Sequence, residues 1–247
     1  MSLDACAAQV ARGDPDRFAA AMTAPLPARG DLMALYAFNL EVARAPWVTE
    51  EPLIAEMRLQ WWADAVEEIY AGAPPRAHEV VAPLADAVRR ADLPRAPLDA
   101  AIAARREDIG VTPPVDLWAY LRATGGGLAV LAGRTLGARA EHDTALEGHG
   151  AVIAAAGYLG AVPQIRARGR SVFVPGVHGP QADLAREALA QRADLIPIHR
   201  LPRRLRPALL HGWAAARILR RVAGGQAMPE AAARGPRFLW AALTGRF

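Results

Sequence analysis

Leu35-Tyr36-Ala37-Phe38-Asn39-Leu40-Glu41-Val42-Ala43-Arg44-Ala45-Pro46-Trp47 is the stretch on which the reading of this chain turns. Asp31 is predicted to cap a helix that carries Leu32, Leu35, Tyr36 and Phe38, and Pro46 to end it. On the N-terminal side, Asp14-Pro15 predicts a helix over 14–23, with Asp14 as N-cap, broken by Pro25 and Pro27. On the C-terminal side, residues 51–71 form the clearest amphipathic pattern. Leu59, Trp62, Val66, Ile69 and Tyr70 recur at three- and four-residue spacing, and Gly72 with Pro74-Pro75 ends the run. Further helices are predicted at 79–91, 97–109, 115–136, 144–162, 181–194, 202–223 and 228–244, with an irregular basic loop over 166–179. No internal repeat or low-complexity linker divides the chain, so 1–247 is read as one domain.

Composition points the same way. Of 247 residues, 53% are hydrophobic, chiefly alanine and leucine, so an all-α fold with a substantial core is expected. The net charge is +4 and every basic residue is arginine. Without lysine, a Walker-type phosphate loop and Schiff-base chemistry are excluded. Arginine's planar fork suits diphosphates, nucleic acid or acidic partners, although a GC-rich genome produces the same bias. Cys6 is the sole cysteine, which excludes an intrachain disulfide and a cysteine metal cluster and fits a reducing cytoplasm. The N-terminus lacks the basic and apolar regions of a signal peptide. No uncharged run of about 20 apolar residues predicts a membrane span, and Gly150 to Val162 reads as a buried helix.

Several motifs together resemble the squalene/phytoene synthase family. Asp16-Arg17-Phe18 with Pro27 and Arg29, then Leu35 to Phe38, match its opening segments. Ala71-Gly72-Ala73-Pro74-Pro75 and Gly169-Arg170-Ser171-Val172-Phe173-Val174-Pro175 match its later turns. Ala37-Phe38-Asn39-Leu40-Glu41, Met57-Arg58-Leu59-Gln60-Trp61-Trp62 and Val66-Glu67-Glu68-Ile69-Tyr70 are most similar to the branch containing the mitochondrial complex I assembly factor. The resemblance implies an isoprenoid synthase-like helical bundle around a central cavity.

It also exposes two departures. Active members carry a DxxxD motif whose carboxylates hold Mg²⁺ against a prenyl diphosphate. Here those positions fall on Ala43 and Trp47, neither of which ligates a metal. The second acidic segment is shortened to Gln164-Ile165-Arg166-Ala167-Arg168 before Gly169-Arg170, and no acid stands between Glu147 and Asp183. No catalytic or metal-ligating residue is therefore assigned, and no cofactor is expected. Mg²⁺ enters only if the alternative, an active transferase joining two prenyl diphosphates head-to-head, holds.

Candidate cavity or ligand residues are Tyr36, Asn39, Glu41, Arg44, Arg58, Trp62, Gln164, Arg166, Arg168 and Arg170. Glu41 is open to two readings: a cavity-facing lone metal ligand or partner of Arg44 or Arg58, or a structural ion pair within the bundle. Arg166, Arg168 and Arg170 either grip an anionic group or form a solvated loop. Trp61 and Trp62 cannot both face inward, so one is expected in the core and the other at its edge or at a partner surface. Thr124-Gly125-Gly126-Gly127 reads as a kink or close helix contact. A basic zone from Arg200 to Arg221 suits an anionic membrane surface, and without interleaved aromatics nucleic acid is not expected. The resemblance implies a catalytically silent protein that assists assembly of respiratory complex I (NADH:quinone oxidoreductase). Its partner would be a subunit or assembly intermediate, with a lipid, quinone or prenyl group as candidate ligand. The expected location is cytoplasmic, peripheral at the inner face of the cytoplasmic membrane.

Overall fold

Gly13-Asp14-Pro15 separates the first two helices, α1 (Leu3–Gly13) and α2 (Pro15–Met22). In the computed structural model, which describes residues 3–228 and 235–247, Asp14 caps α2 as its chemistry predicts. Its carboxylate accepts the Arg17 backbone N–H at 2.9 Å. Helix α1 carries no N-cap signal of its own, and the sequence does not predict it. It is held by Cys6 and Val10, both fully buried.

Helix α3 (Leu26–Arg44) corrects the expected start of the decisive segment. Pro25 is its N-cap and Pro27 sits in its first turn, where a missing N–H leaves no intrahelical acceptor unpaired. Asp31 therefore lies inside the helix and caps nothing. It is buried and paired with Arg90 of α5 (Val81–Ala91), whose Nε donates at 3.1 Å. Residues 31–38 are all buried, so this part of α3 is enclosed on every side. A single 3₁₀ turn, Ala45–Trp47, follows at Pro46.

Helix α4 (Pro52–Tyr70) buries Leu59, Trp62, Val66 and Ile69, and Gly72 leaves it with φ +73°. Beyond α5 come α6 (Ala96–Arg106), α7 (Leu117–Leu121), a π turn (Arg122–Gly126) and α8 (Gly127–Thr135). Of the two readings of these glycines, a kink or a close helix contact, the close contact is what they make. A Cβ on Gly125 would lie 2.4 Å from the Ala154 Cβ and 2.7 Å from the Gly150 carbonyl oxygen. That approach seats the π turn on α9 (Asp143–Ala167).

Helix α9 runs through Pro163 to Ala167, five residues beyond its expected end. The segment 140–167 is long and apolar enough to cross a membrane by length and composition, but half of its most apolar window is buried within the bundle. It packs against α7, α8, α10 (Gln181–Asp194) and α11 (Ala215–Ala223). The helix expected over 202–223 is instead two 3₁₀ turns, Arg203–Ala208 and Leu210–Gly212, followed by α11. Pro202 and Pro207 remove backbone donors there. Helix α12 (Pro236–Thr244) starts later than expected, and part of that expectation, 229–234, lies outside the described residues. No strand occurs among the described residues. The elements form an all-α bundle.

Candidate functional site

The C-terminal half of α3 and one face of α9 border an open cavity of about 480 Å³. Asn39, Leu40, Ala43 and Arg44 face it from α3. Ala154, Gly157, Tyr158, Ala161, Gln164 and Ile165 face it from α9, at the three- and four-residue steps of a single helix face. Small side chains on both walls keep the space open. A Cβ on Gly157 would meet no atom within 4 Å.

The polar part of the lining is built across elements. Asp108, just beyond α6, accepts Arg105 Nη1 at 2.9 Å and the Tyr120 hydroxyl at 3.0 Å. Arg105 also donates to the Tyr120 oxygen. Burial pushes the Tyr120 hydroxyl well above its ordinary pKa, against the pull of Arg105. Burial, with Asp108 adding to it, pushes Tyr158 up to about 12. Tyr158 donates to the Val172 carbonyl at 2.6 Å. Both phenols therefore stay protonated near neutral pH, and neither serves as a base there. Among the described residues Asp108 is the only carboxylate on the lining, and its oxygens are engaged by Arg105 and Tyr120.

That donor set does not fit a Mg²⁺ clamp, which needs several oxygen ligands around each ion. Among the described residues, no group of three or more His, Cys, Asp or Glu side chains is placed to hold a metal.

The mouth has a different construction. The Trp47 indole lies beneath two guanidinium groups, Arg170 at 4.1 Å and Arg168 at 5.1 Å from the ring centroid. Arg170 also donates to the Asp108 carbonyl. The loop after α9 is thereby clasped onto the turn after α3. Each such contact contributes about 0.5–1 kcal/mol when exposed and about 2 kcal/mol when desolvated.

Of the residues selected from the sequence, Asn39, Arg44, Gln164 and Arg168 line the cavity, as do Ala43 and Trp47. Arg170 lies on the clasp, beside the cavity proper. Arg166 is exposed and lines neither. Tyr36 shares the stripe of Leu40 and Ala43 but lies deeper, fully buried, with its hydroxyl unpartnered and Arg17 5.8 Å from its ring. Glu41 sits about 200° around the helix from Asn39 and accepts from Gln9 of α1, so it pairs with neither Arg44 nor Arg58. Arg58 is exposed on α4 and does not reach the cavity. Trp62 is a core residue, edge-on to Phe38 at 5.4 Å, while half-buried Trp61 lies under Arg76. Arg105, Asp108, Tyr120 and Tyr158 were not selected from the sequence. Their one legible signal was the small-residue spacing along α9, which places Tyr158.

The profile of the squalene/phytoene synthase family matches residues 10–195, three quarters of the chain. The chain belongs to the squalene/phytoene synthase family. Squalene/phytoene synthase-type architecture is also what the solved structures share with it. A dehydrosqualene synthase crystallised with a ligand superposes with a TM-score of 0.75 at 14% identity, over 91% of this chain and 87% of that one. The squalene synthase HpnC from Alicyclobacillus acidocaldarius superposes with a TM-score of 0.70 at 16% identity, over 90% and 93%. At such identities the likeness is one of fold, the isoprenoid synthase-like helical bundle. Complex I assembly factor 6 from Homo sapiens is 35% identical over 89 residues, 36% of this chain. The Bos taurus protein matches to the same extent. This family member spans about a quarter (26%) of the length of those two relatives.

Proposed function

We propose that this member of the family is a non-catalytic protein that assists assembly of respiratory complex I. One observation carries the non-catalytic part: the cavity positions that call for metal-binding carboxylates hold Ala43 and Trp47, and Trp47 is clasped by Arg168 and Arg170. Ionising an allylic diphosphate requires neutralising the departing pyrophosphate. Stabilisation of such developing charge is usually the largest catalytic contribution, and divalent ions supply it in this chemistry. One neutralised carboxylate offers no substitute. The 35% identity to complex I assembly factor 6 supports the assembly role, with a complex I subunit or assembly intermediate as partner.

The arginines of 203–206 and the exposed Leu239, Trp240 and Leu243 on α12 support a position against the inner face of the cytoplasmic membrane. The test is gene deletion followed by native-gel analysis of complex I and assay of membrane NADH:quinone activity. Loss of the assembled complex is expected, and unchanged assembly would sink the role. A second reading, prenyl transfer, is favoured by the retained cavity and the fold. Pyrophosphate release from farnesyl diphosphate with Mg²⁺ discriminates it: background release is expected from folded protein.

A further inference from the structure

We propose that a second cavity, walled by α10, α11 and the segment after α12, is a binding site for a phosphate-bearing ligand gripped by arginine alone. It measures about 480 Å³, within the roughly 300–1,000 Å³ of small-molecule sites. It shares no lining residue with the space between α3 and α9. Four arginines from three separate segments line it: Arg192 at the end of α10, Arg217 and Arg220 three residues apart on α11, and Arg246 after α12. Among the described residues no Asp or Glu lines it. Several arginines on other helices are matched to acids, as Arg89 is to Asp86, Arg95 to Asp99 and Arg106 to Glu56.

The unmatched charge is felt within the site. Burial, with the Arg220 charge adding to it, depresses the Arg192 pKa. Arg192 donates to the Phe247 backbone oxygen. Even counted as a full negative charge, that oxygen would match one guanidinium and leave three. Arg217 lies 5.9 Å from the centroid of the Trp213 ring, a contact that positions the group without using its N–H donors. Arg220 and Arg246 are exposed, and among the described residues their side chains meet no acid or hydrogen-bond acceptor. Each guanidinium presents a fork of N–H donors that matches phosphate oxygens in pairs. Several forks with no acid among them favour an anion of more than one charge, which a phosphomonoester or diphosphate supplies and a lone carboxylate does not. A soluble phosphate compound and a lipid head group both offer that chemistry. The inference is independent of the assembly and non-catalytic readings above.

The experiment is calorimetric titration of the full chain in EDTA with inorganic pyrophosphate, with dihexanoyl phosphatidic acid below its micellar concentration, and with acetate as a singly charged control. At least one phosphate probe should bind, and acetate at least about tenfold more weakly. A lipid bound at least about tenfold tighter than pyrophosphate identifies a head group as the source, and any smaller difference a soluble ligand; either result supports the site. Arg220→Gln combined with Arg246→Gln should weaken binding at least about tenfold. Both positions are exposed, so this variant should keep the parent's melting temperature. Arg58→Gln removes the same kind of charge from α4 and should leave the affinity unchanged. Four outcomes each overturn the inference: no binding of either phosphate probe to folded protein, equal affinity for acetate, unchanged affinity in the double variant, or an equal loss in Arg58→Gln. Loss of binding in Arg44→Gln with none in the double variant would place the anion between α3 and α9 and overturn it as well.

Discussion

Trp47 shows how one residue changes what a site can do. At a position where the family resemblance implies a metal-binding carboxylate, an indole lies under two arginines. Trp47→Ala should cost about 2 kcal/mol, from two partly exposed cation–π contacts and lost packing. Urea denaturation measures it, and an unchanged midpoint would show that the clasp holds nothing. Glycines give a contrast of sign. Gly125→Ala drives a methyl into Ala154 and the Gly150 carbonyl, so it should destabilise by about 1–3 kcal/mol. Gly157→Ala meets open space within a helix and should stabilise by about 0.5–1 kcal/mol. Chemical denaturation of both variants should give shifts in opposite directions.

Burial, reinforced by nearby Arg17, holds His211 neutral and depresses its pKa, and burial does the same to His149. The unfolded chain therefore binds protons more readily at both sites. Their contribution is fully present above the unfolded histidine value, about 6.5, and is lost as pH falls from there towards the folded values. Asp14 adds to this. Burial alone would raise its pKa, but the Arg17 ion pair and N–H outweigh burial and lower it. Its stabilisation is present above the unfolded carboxylate value and is lost in stronger acid. Stability should thus decline below about pH 6.5, and His211→Gln should flatten that decline. A pH series of denaturation midpoints with parallel curves for the two proteins would refute the assignment to His211.

Among the elements, local chemistry was legible where one residue decides. Asp14 caps, Gly72 stops a helix, and Trp62 faces the core as its spacing requires. It misled where one residue type serves two positions. Pro27 reads as a breaker, but a proline in a first turn is tolerated, so α3 begins earlier and Asp31 pairs with Arg90 from inside the helix. The 3₁₀ turns between 203 and 212 carry enough leucine and alanine to imitate a helix, and only backbone hydrogen bonds distinguish the two. Helix α12 buries Phe238 and Ala241 and exposes Leu239, Trp240 and Leu243, with Arg203 and Arg204 beside Leu243. Cosedimentation with vesicles tests this face. Binding should require phosphatidylglycerol, and Trp240→Ser with Leu243→Ser should weaken it about tenfold. Equal binding to pure phosphatidylcholine, or no effect of the substitutions, would refute the membrane assignment.

For the whole molecule, the helical class, the family framework and the lack of carboxylates at 43 and 47 follow from the amino-acid order alone. Each of these is written in local spacing or in the identity of single residues. The same local reading found Asn39, Arg44, Gln164 and Arg168 but could not separate them from Glu41, Arg58 or Arg166, because a motif does not state which way a helix is turned. It takes the packed bundle to show that Glu41 meets Gln9, and that Asp108 is held by Arg105 and Tyr120. It alone brought Arg168 and Arg170 onto Trp47, more than a hundred residues away in the chain. The physical reason is that helix periodicity repeats within a few residues, whereas the cavity's charge and closure depend on how separate helices pack. That packing is the joint outcome of the whole core, with Gly125 and Gly150 setting how closely the π turn approaches α9.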